Sequence, residues 1–385
     1  MYLRLSGFYL FYFAALGALL PYWALYLRAH GFDARAIGEL MALMMATKIV
    51  APNVWGWLAD HSGRRVAIIQ AASLAAAVCF AAVLLVSSYA GLAAVMVAFS
   101  FFWNAALPQF EAVTMNYLGD ETHRYSAIRL WGSLGFILSV VALGPLLDSY
   151  GADLLPPVLI VLFSSIWLFS LGVPARLDVG ARPPPGEPLL RVLTRPVVAA
   201  LLLVCFLMQF SHGPYYTFFS IYLDDHGYSG GLIGILWAWG VVAEIGVFLV
   251  MHRLLPGFGL RRLLLASLAL ATLRWLLLAF FVDYPWVVLL AQTLHAASFG
   301  IYHAVAITLI HRLFTGRNQG RGQALYSSVS FGAGGAAGSL GAGYLWEGSG
   351  AAVTFLAAAF ASALALVVAV RLIDGAVVAT ASDRA

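Results

Sequence analysis

What this 385-residue chain lacks most is charge. Asp, Glu, Lys and Arg make up 10% of it, where a soluble domain carries about a quarter. So few charges cannot cover a water-facing surface, and with 62% hydrophobic residues the bilayer must be the main solvent. Cysteine is nearly absent. The two present, Cys79 and Cys205, both lie inside apolar runs, which excludes a disulfide framework and a Cys-x-x-Cys metal site. They read as small hydrophobic residues. No Gly-x-x-x-x-Gly-Lys-Ser/Thr phosphate loop occurs, and the polar stretches are too short for a nucleotide domain. Transport powered by this chain's own ATP hydrolysis is therefore not expected, nor is any cofactor or metal. No nucleophile–base pair with an orienting acid stands out, so no enzyme is expected either. The net charge of +4 marks membrane topology rather than nucleic-acid binding.

What is present is a series of apolar runs, at 5–27, 36–59, 66–88, 91–117, 125–147, 154–173, 197–223, 231–254, 262–282, 286–310, 322–346 and 351–372. A spanning helix needs ~20 residues, and lipid cannot satisfy an open sheet edge. The expectation is an all-α membrane protein of twelve transmembrane helices. The first run follows Arg4 as in a signal peptide, but it is longer than a cleaved apolar core and reads as a retained helix. With the N-terminus inside, sixteen arginines fall on the inner side and two, Arg28 and Arg35, outside. That bias places both termini in the cytoplasm, in a bacterial inner membrane. Residues 174–196 contain Pro183, Pro184 and Pro185 among arginines and read as a cytoplasmic linker. The expected organisation is a six-helix bundle over 1–173, that linker, a second bundle over 197–373 and a tail over 374–385.

Shifted by 196 residues, the two halves align without gaps. Gly17 falls on Gly213, Tyr26 on Tyr222, Leu27 on Leu223, His30 on His226 and Gly31 on Gly227; Ile37, Gly38, Gly63 and Arg65 fall on Ile233, Gly234, Gly259 and Arg261. Leu and Ala matches are cheap in apolar segments, whereas Gly, Tyr and His in one register are not. Six spans separate the copies, so both keep one orientation.

Between the second and third runs stands Gly56-Trp-Leu-Ala-Asp60-His-Ser-Gly63-Arg64-Arg65. Asp60 can cap a helix end or pair with a base, and the arginines hold the loop inside, which suits a conformational latch. The string resembles the signature loop of the major facilitator superfamily. Parallel six-helix repeats, with the substrate near the midplane between them, are what that resemblance implies. The copy after span eight is degenerate, with Pro256 in place of the aspartate.

Ionisable residues inside spans are costly and commonly functional. Here they are Glu39, Lys48, Glu111, Arg129, Glu244, Arg274, His295 and His303, with Gln209 and His212 beside them in span seven. Glu111 follows Pro108 in span four and Arg129 opens span five. A structural ion pair between them is one reading. The Pro-x-x-Glu and Arg-x-Trp-Gly strings, eighteen residues apart, resemble the sugar-binding pair of the oligosaccharide:proton symporters, to which lactose permease belongs. Arg274 and the Thr293-Leu-His295 string resemble its coupling site. The strings Arg129-Leu-Trp-Gly-Ser, Gly240-Val-Val-Ala-Glu244 and Tyr215-Tyr216 resemble the sister phenylpropionate permease family over nearly the whole chain. Departures exist. Ser298 stands where lactose permease has a carboxylate, and Glu244 lies one turn past the helix-eight carboxylate of that protein, which aligns with Val241.

Lys48 and Glu244 are repeat equivalents. Lys48, Arg129 and Arg274 make the expected cavity basic, and Trp23, Trp131, Phe136, Tyr215, Tyr216 and Trp237 offer aromatic faces, although aromatics are also ordinary core and interface residues. An aromatic carboxylate suits such a cavity: arginine grips a carboxylate with two parallel bonds, and rings stack. The expected substrate-binding residues are Glu111, Arg129, Lys48, Arg274, Tyr215, Tyr216 and Phe136. Glu111, Glu244 and His295 are the candidates for proton coupling. The leading expectation is a monomeric, proton-coupled importer of a small organic anion such as phenylpropionate, working by alternating access. The alternatives are a sugar or nucleoside symporter, an efflux carrier, and a non-transporting membrane sensor.

Overall fold

A computed structural model of the chain describes residues 1–119, 121, 124–174 and 187–374. Prolines 183–185 of the expected linker and nearly all of the expected tail lie outside the described residues. The first half holds α1 (Tyr2–Ala29), α2 (Ala34–Ser62), α3 (Arg65–Ala81), α4 (Tyr89–Leu118), α5 (Tyr125–Tyr150) and α6 (Leu155–Leu171). After a short α7 (Leu189–Leu193) come α8 (Pro196–Asp225), α9 (Gly230–Phe281), α10 (Pro285–Thr293), α11 (Tyr302–Leu313), α12 (Gln319–Ser327) and α13 (Gly335–Leu372). Among the described residues nine helical segments are long and apolar enough to cross a membrane. Two of these are double-length, broken by left-handed glycines at Gly259 and Gly350. The more polar α2, 29 residues long, completes the twelve expected passes.

Local chemistry sets the helix ends. The Asp33 carboxylate accepts the Ala36 backbone N–H at 2.7 Å and starts α2; Gly63, at φ 63°, ends it. Two π-helical turns, Ala296–Ile301 and Ser328–Gly334, interrupt the later spans. Such turns gather at functional positions.

The chain divides into two compact units. The first comprises Met1–Gly180 with Tyr216–Ala238, the second Ala181–Tyr215 with Trp239–Ala385; α8 and α9 each contribute to both. In the first unit α1 runs along α5 and α6, while α2 and α3 pack on α4. Gly135 lets α5 meet the Leu10 carbonyl, where a Cβ would collide with backbone. Phe8, Phe80, Phe99, Phe110 and Phe163 fill the centre. At the α1 C-terminal end Arg28 pairs with Asp224 and Asp225, and the Asp148 carboxylate accepts the Gly230 and Gly231 N–H groups that open α9. In the second unit a leucine- and valine-rich core gathers around Tyr302, Phe314 and Tyr326.

The 196-residue repeat recurs in local geometry. His30 Nδ1 meets the Tyr26 carbonyl at 2.9 Å, and His226 Nδ1 meets that of Tyr222 at 2.8 Å. Gly31 and Gly227 both turn left-handed after their helices, as do Gly63 and Gly259. The Asp33 cap on Ala36 has its copy in Ser229, whose hydroxyl accepts the Leu232 N–H.

Candidate functional site

The first unit brings Glu111 and Arg129 into one neighbourhood without a direct salt bridge. Both are half-buried, and Arg129 acts electrostatically on Glu111. Tyr125, one turn before Arg129, donates its hydroxyl to Glu111 at 3.4 Å. The Arg129 guanidinium lies 3.9 Å above the Phe13 ring and 5.8 Å from that of Tyr9. Gly132 makes room for this, since a Cβ there would stand 2.7 Å from both Arg129 Nη1 and the Phe13 ring. Cation and ring attract through the ring quadrupole, but among the described residues no carboxylate lies within salt-bridge distance of the arginine. Lys48 is half-buried on α2 and, among the described residues, has no hydrogen-bond or ion-pair partner. Beside it the Thr47 hydroxyl donates to Ser100 and accepts from Asn104, each at 2.9 Å.

The second unit brings the remaining ionisable candidates together. Arg274 on α9 is wholly buried. Its Nη1 donates to His295 Nδ1 at 3.0 Å and to Ser298 Oγ at 3.1 Å, and its Nη2 donates to Gln292 Oε1 at 2.9 Å. The rings of Tyr215 and Trp275 face it at 4.2 and 4.5 Å. Arginine has donors only, so His295 Nδ1 is the acceptor and the ring hydrogen sits on Nε2. That nitrogen lies 3.8 Å from Glu244 Oε2. Glu244, His295 and Arg274 therefore lie in one line, in which the carboxylate and the imidazole can carry a proton and the guanidinium stays charged. The π-helical turn after His295 offsets the drift of an α-helix, so that His295, Phe299 and His303 stack in one column. His303 Nδ1 meets the Tyr326 hydroxyl at 2.9 Å.

The aromatic residues expected to line a cavity divide differently. Trp23, Phe136 and Trp237 are buried in packing contacts, and Trp237 donates to Ser220 at 2.9 Å. Trp131 donates to the Tyr2 hydroxyl at 2.9 Å. Tyr215 is buried and accepts from Gln292, while the neighbouring Tyr216 is half-buried.

The Gly56–Arg65 string, expected as a loop, is helical through Ser62, with only Gly63 and Arg64 between α2 and α3, and it is held from α4. Arg65 pairs with Asp60 at 2.7 Å and also donates to Gln109. Gly56 comes within 3.6 Å of that same amide, measured from a Cβ position. Gln109, Tyr125, Phe13, Gln292 and Ser298 complete the clusters, and none carries a charge that would have singled it out in the sequence. The spacing of Tyr125 and Arg129, one helical turn, is the signal available for Tyr125.

The membrane-length helices among the described residues, the repeat and the ionisable clusters in each unit define a secondary transporter of the major facilitator class. The chain belongs to the MFS_1-like family, whose model matches residues 2–357. It is 28% identical to a protein of Escherichia coli (strain K12) named "Probable 3-phenylpropionic acid transporter", over 88% of this chain and 89% of that one. It is 31% identical to the maltose permease of Geobacillus stearothermophilus, over 88% and 86%. In fold it resembles the nucleoside transporter NupG, with a TM-score of 0.79 at 16% identity over 97% of this chain and 99% of that one. It also resembles the human organic anion transporter MFSD10, with a TM-score of 0.65 at 18% identity over 96% and 98%.

Proposed function

We propose that this transporter is a proton-coupled importer of a small organic anion, an aromatic carboxylate such as 3-phenylpropionate. The observation that carries the reading is the pair of membrane-embedded cations in the first unit, Lys48 and Arg129, neither bonded to a protein carboxylate among the described residues. A cation in an apolar segment is costly unless compensated. A substrate carboxylate would compensate it, and its ring suits the Phe13 and Tyr9 side. Glu111 and Tyr125 would orient Arg129. The sequence relationship to the phenylpropionic acid transporter supports the same substrate class.

Proton coupling is assigned to Glu244, His295 and Arg274. Glu244 takes up the proton, His295 transmits its presence to Arg274, and Arg274 changes partners. In this reading Arg274 and Tyr215, both bonded to Gln292, serve coupling rather than substrate contact. The carboxylate missing at Ser298 is supplied from α9 by Glu244. The carrier works in an inner membrane with cytoplasmic termini, as a monomer.

The maltose permease relative favours a second reading, a sugar symporter in which Glu111 and Arg129 bind hydroxyls. Thermal unfolding of the purified protein separates the two. Stabilisation by 3-phenylpropionate and none by maltose supports the anion; the reverse supports the sugar. Stabilisation by neither, with no uptake of either in vesicles, removes both.

A further inference from the structure

We infer that Gln292 is a positioning residue that holds Arg274 in register with Tyr215 through a neutral contact which Arg274 can leave during the proton cycle. The inference rests on the coupling role proposed for Glu244, His295 and Arg274. Gln292 is wholly buried on α10. Its Oε1 accepts from Arg274 Nη2 at 2.9 Å, and its Nε2 donates to the Tyr215 hydroxyl at 3.0 Å. One side chain thus meets a donor on α9 and an acceptor on α8 at once. An amide does this because it has a carbonyl and an N–H₂ at one end. Leucine would satisfy neither neighbour, a carboxylate could not donate to Tyr215, and asparagine is one methylene shorter.

The neutrality of the amide is the functional point. Hydrogen bonds from a charged donor are strong, and a carboxylate acceptor strengthens them further. Glutamate at 292 would form a buried ion pair with Arg274 that is expensive to break. Arg274 would then be fixed at residue 292 and could no longer change partners. With glutamine, the acceptors named around Arg274, which are Gln292 Oε1, His295 Nδ1 and Ser298 Oγ, are all neutral. Loading and unloading of Glu244 can then shift the balance. The titratable groups facing this centre are His212 and Tyr215 on α8, Glu244 on α9, and His295.

The test uses the full chain in proteoliposomes with labelled 3-phenylpropionate, reading gradient-driven accumulation and equilibrium exchange side by side. Exchange needs no net proton release, so a coupling defect separates the two. For Gln292→Glu, accumulation is expected to fall about tenfold or more while exchange stays within about twofold. Gln292→Met keeps the volume without either bond, and its accumulation should fall with exchange retained. Wild-type accumulation in both variants overturns the inference, and so does a parallel loss of both activities in protein that elutes as folded. If Gln292→Glu does not fold, Gln292→Met alone carries the test. If wild-type protein accumulates no phenylpropionate, the proposed substrate fails and the inference is read without it. The pH dependence of thermal unfolding should then shift its midpoint between wild type and Gln292→Met, which adds no titratable group, and an unchanged midpoint overturns the inference.

Discussion

Arg129 lies half-buried one turn into a membrane helix, resting on Phe13 with its N–H donors unmatched by any salt bridge among the described residues. If it grips a carboxylate with two parallel bonds, lysine cannot replace it despite equal charge. Arg129→Lys is expected to lower the initial uptake rate about tenfold or more at matched expression. Near-normal uptake would count against Arg129 as a ligand. Lys48 allows a direct chemical test, because it is the one lysine of the chain. An amine-reactive reagent should modify Lys48, and 3-phenylpropionate should protect it while the terminal amine goes on reacting. Equal modification with and without the acid, read by peptide mass spectrometry, would separate Lys48 from the substrate. The charged members of both clusters were legible in the sequence, because charge inside an apolar run announces itself. Gln292 and Gln109 were not, since a neutral amide in a helix has no signature until its partners are placed. Ser298 was legible as a departure from the resemblance, but its bond to Arg274 was not.

Helices approach most closely where glycine removes the side chain. A Cβ at Gly338 would collide with the Phe210 carbonyl, and one at Gly213 with Gly338 itself. Gly338→Val should cost roughly 1–3 kcal/mol through forced backbone shifts and lower the unfolding temperature. Gly246→Ala, where nothing lies within 4 Å, is the control and should leave it unchanged or slightly raised. An equal loss in both would remove close packing as the cause. At the loop, the Arg65 bridge from Asp60 to Gln109 ties α2 and α3 to α4. Gln109→Leu is expected to slow transport several-fold with substrate affinity unchanged, because Gln109 bonds Arg65 of the Gly56–Arg65 string rather than Arg129. A matching loss of affinity would argue otherwise. Helix number and nearly every boundary followed from hydropathy. The π-helical turns did not, because they depend on how neighbouring spans press against one helix rather than on local composition.

The whole molecule follows from its duplication. The 196-residue register, read from matched Gly, Tyr and His, reappears as paired left-handed turns and paired histidine–carbonyl contacts. What duplication does not keep is chemistry. The repeat equivalent of Lys48 is Glu244, and that of Asp60 is Pro256. Among the described residues the first unit holds Lys48 and Arg129 without a salt bridge, and the second holds a carboxylate–histidine–arginine line. That asymmetry is what anion binding on one side and proton handling on the other would require. In the proposed reading, the charge carried sets the energetics. One net charge moved across 100 mV is worth about 2.3 kcal/mol, whereas a monoanion carried with one proton moves none.

The most direct measurement is uptake into vesicles with the pH gradient and the voltage imposed separately, using labelled 3-phenylpropionate and labelled maltose. Accumulation of the acid under a pH gradient alone, none under voltage alone, and none of maltose under either is the predicted result. Accumulation of maltose driven by voltage, with no movement of the acid under any gradient, would contradict it.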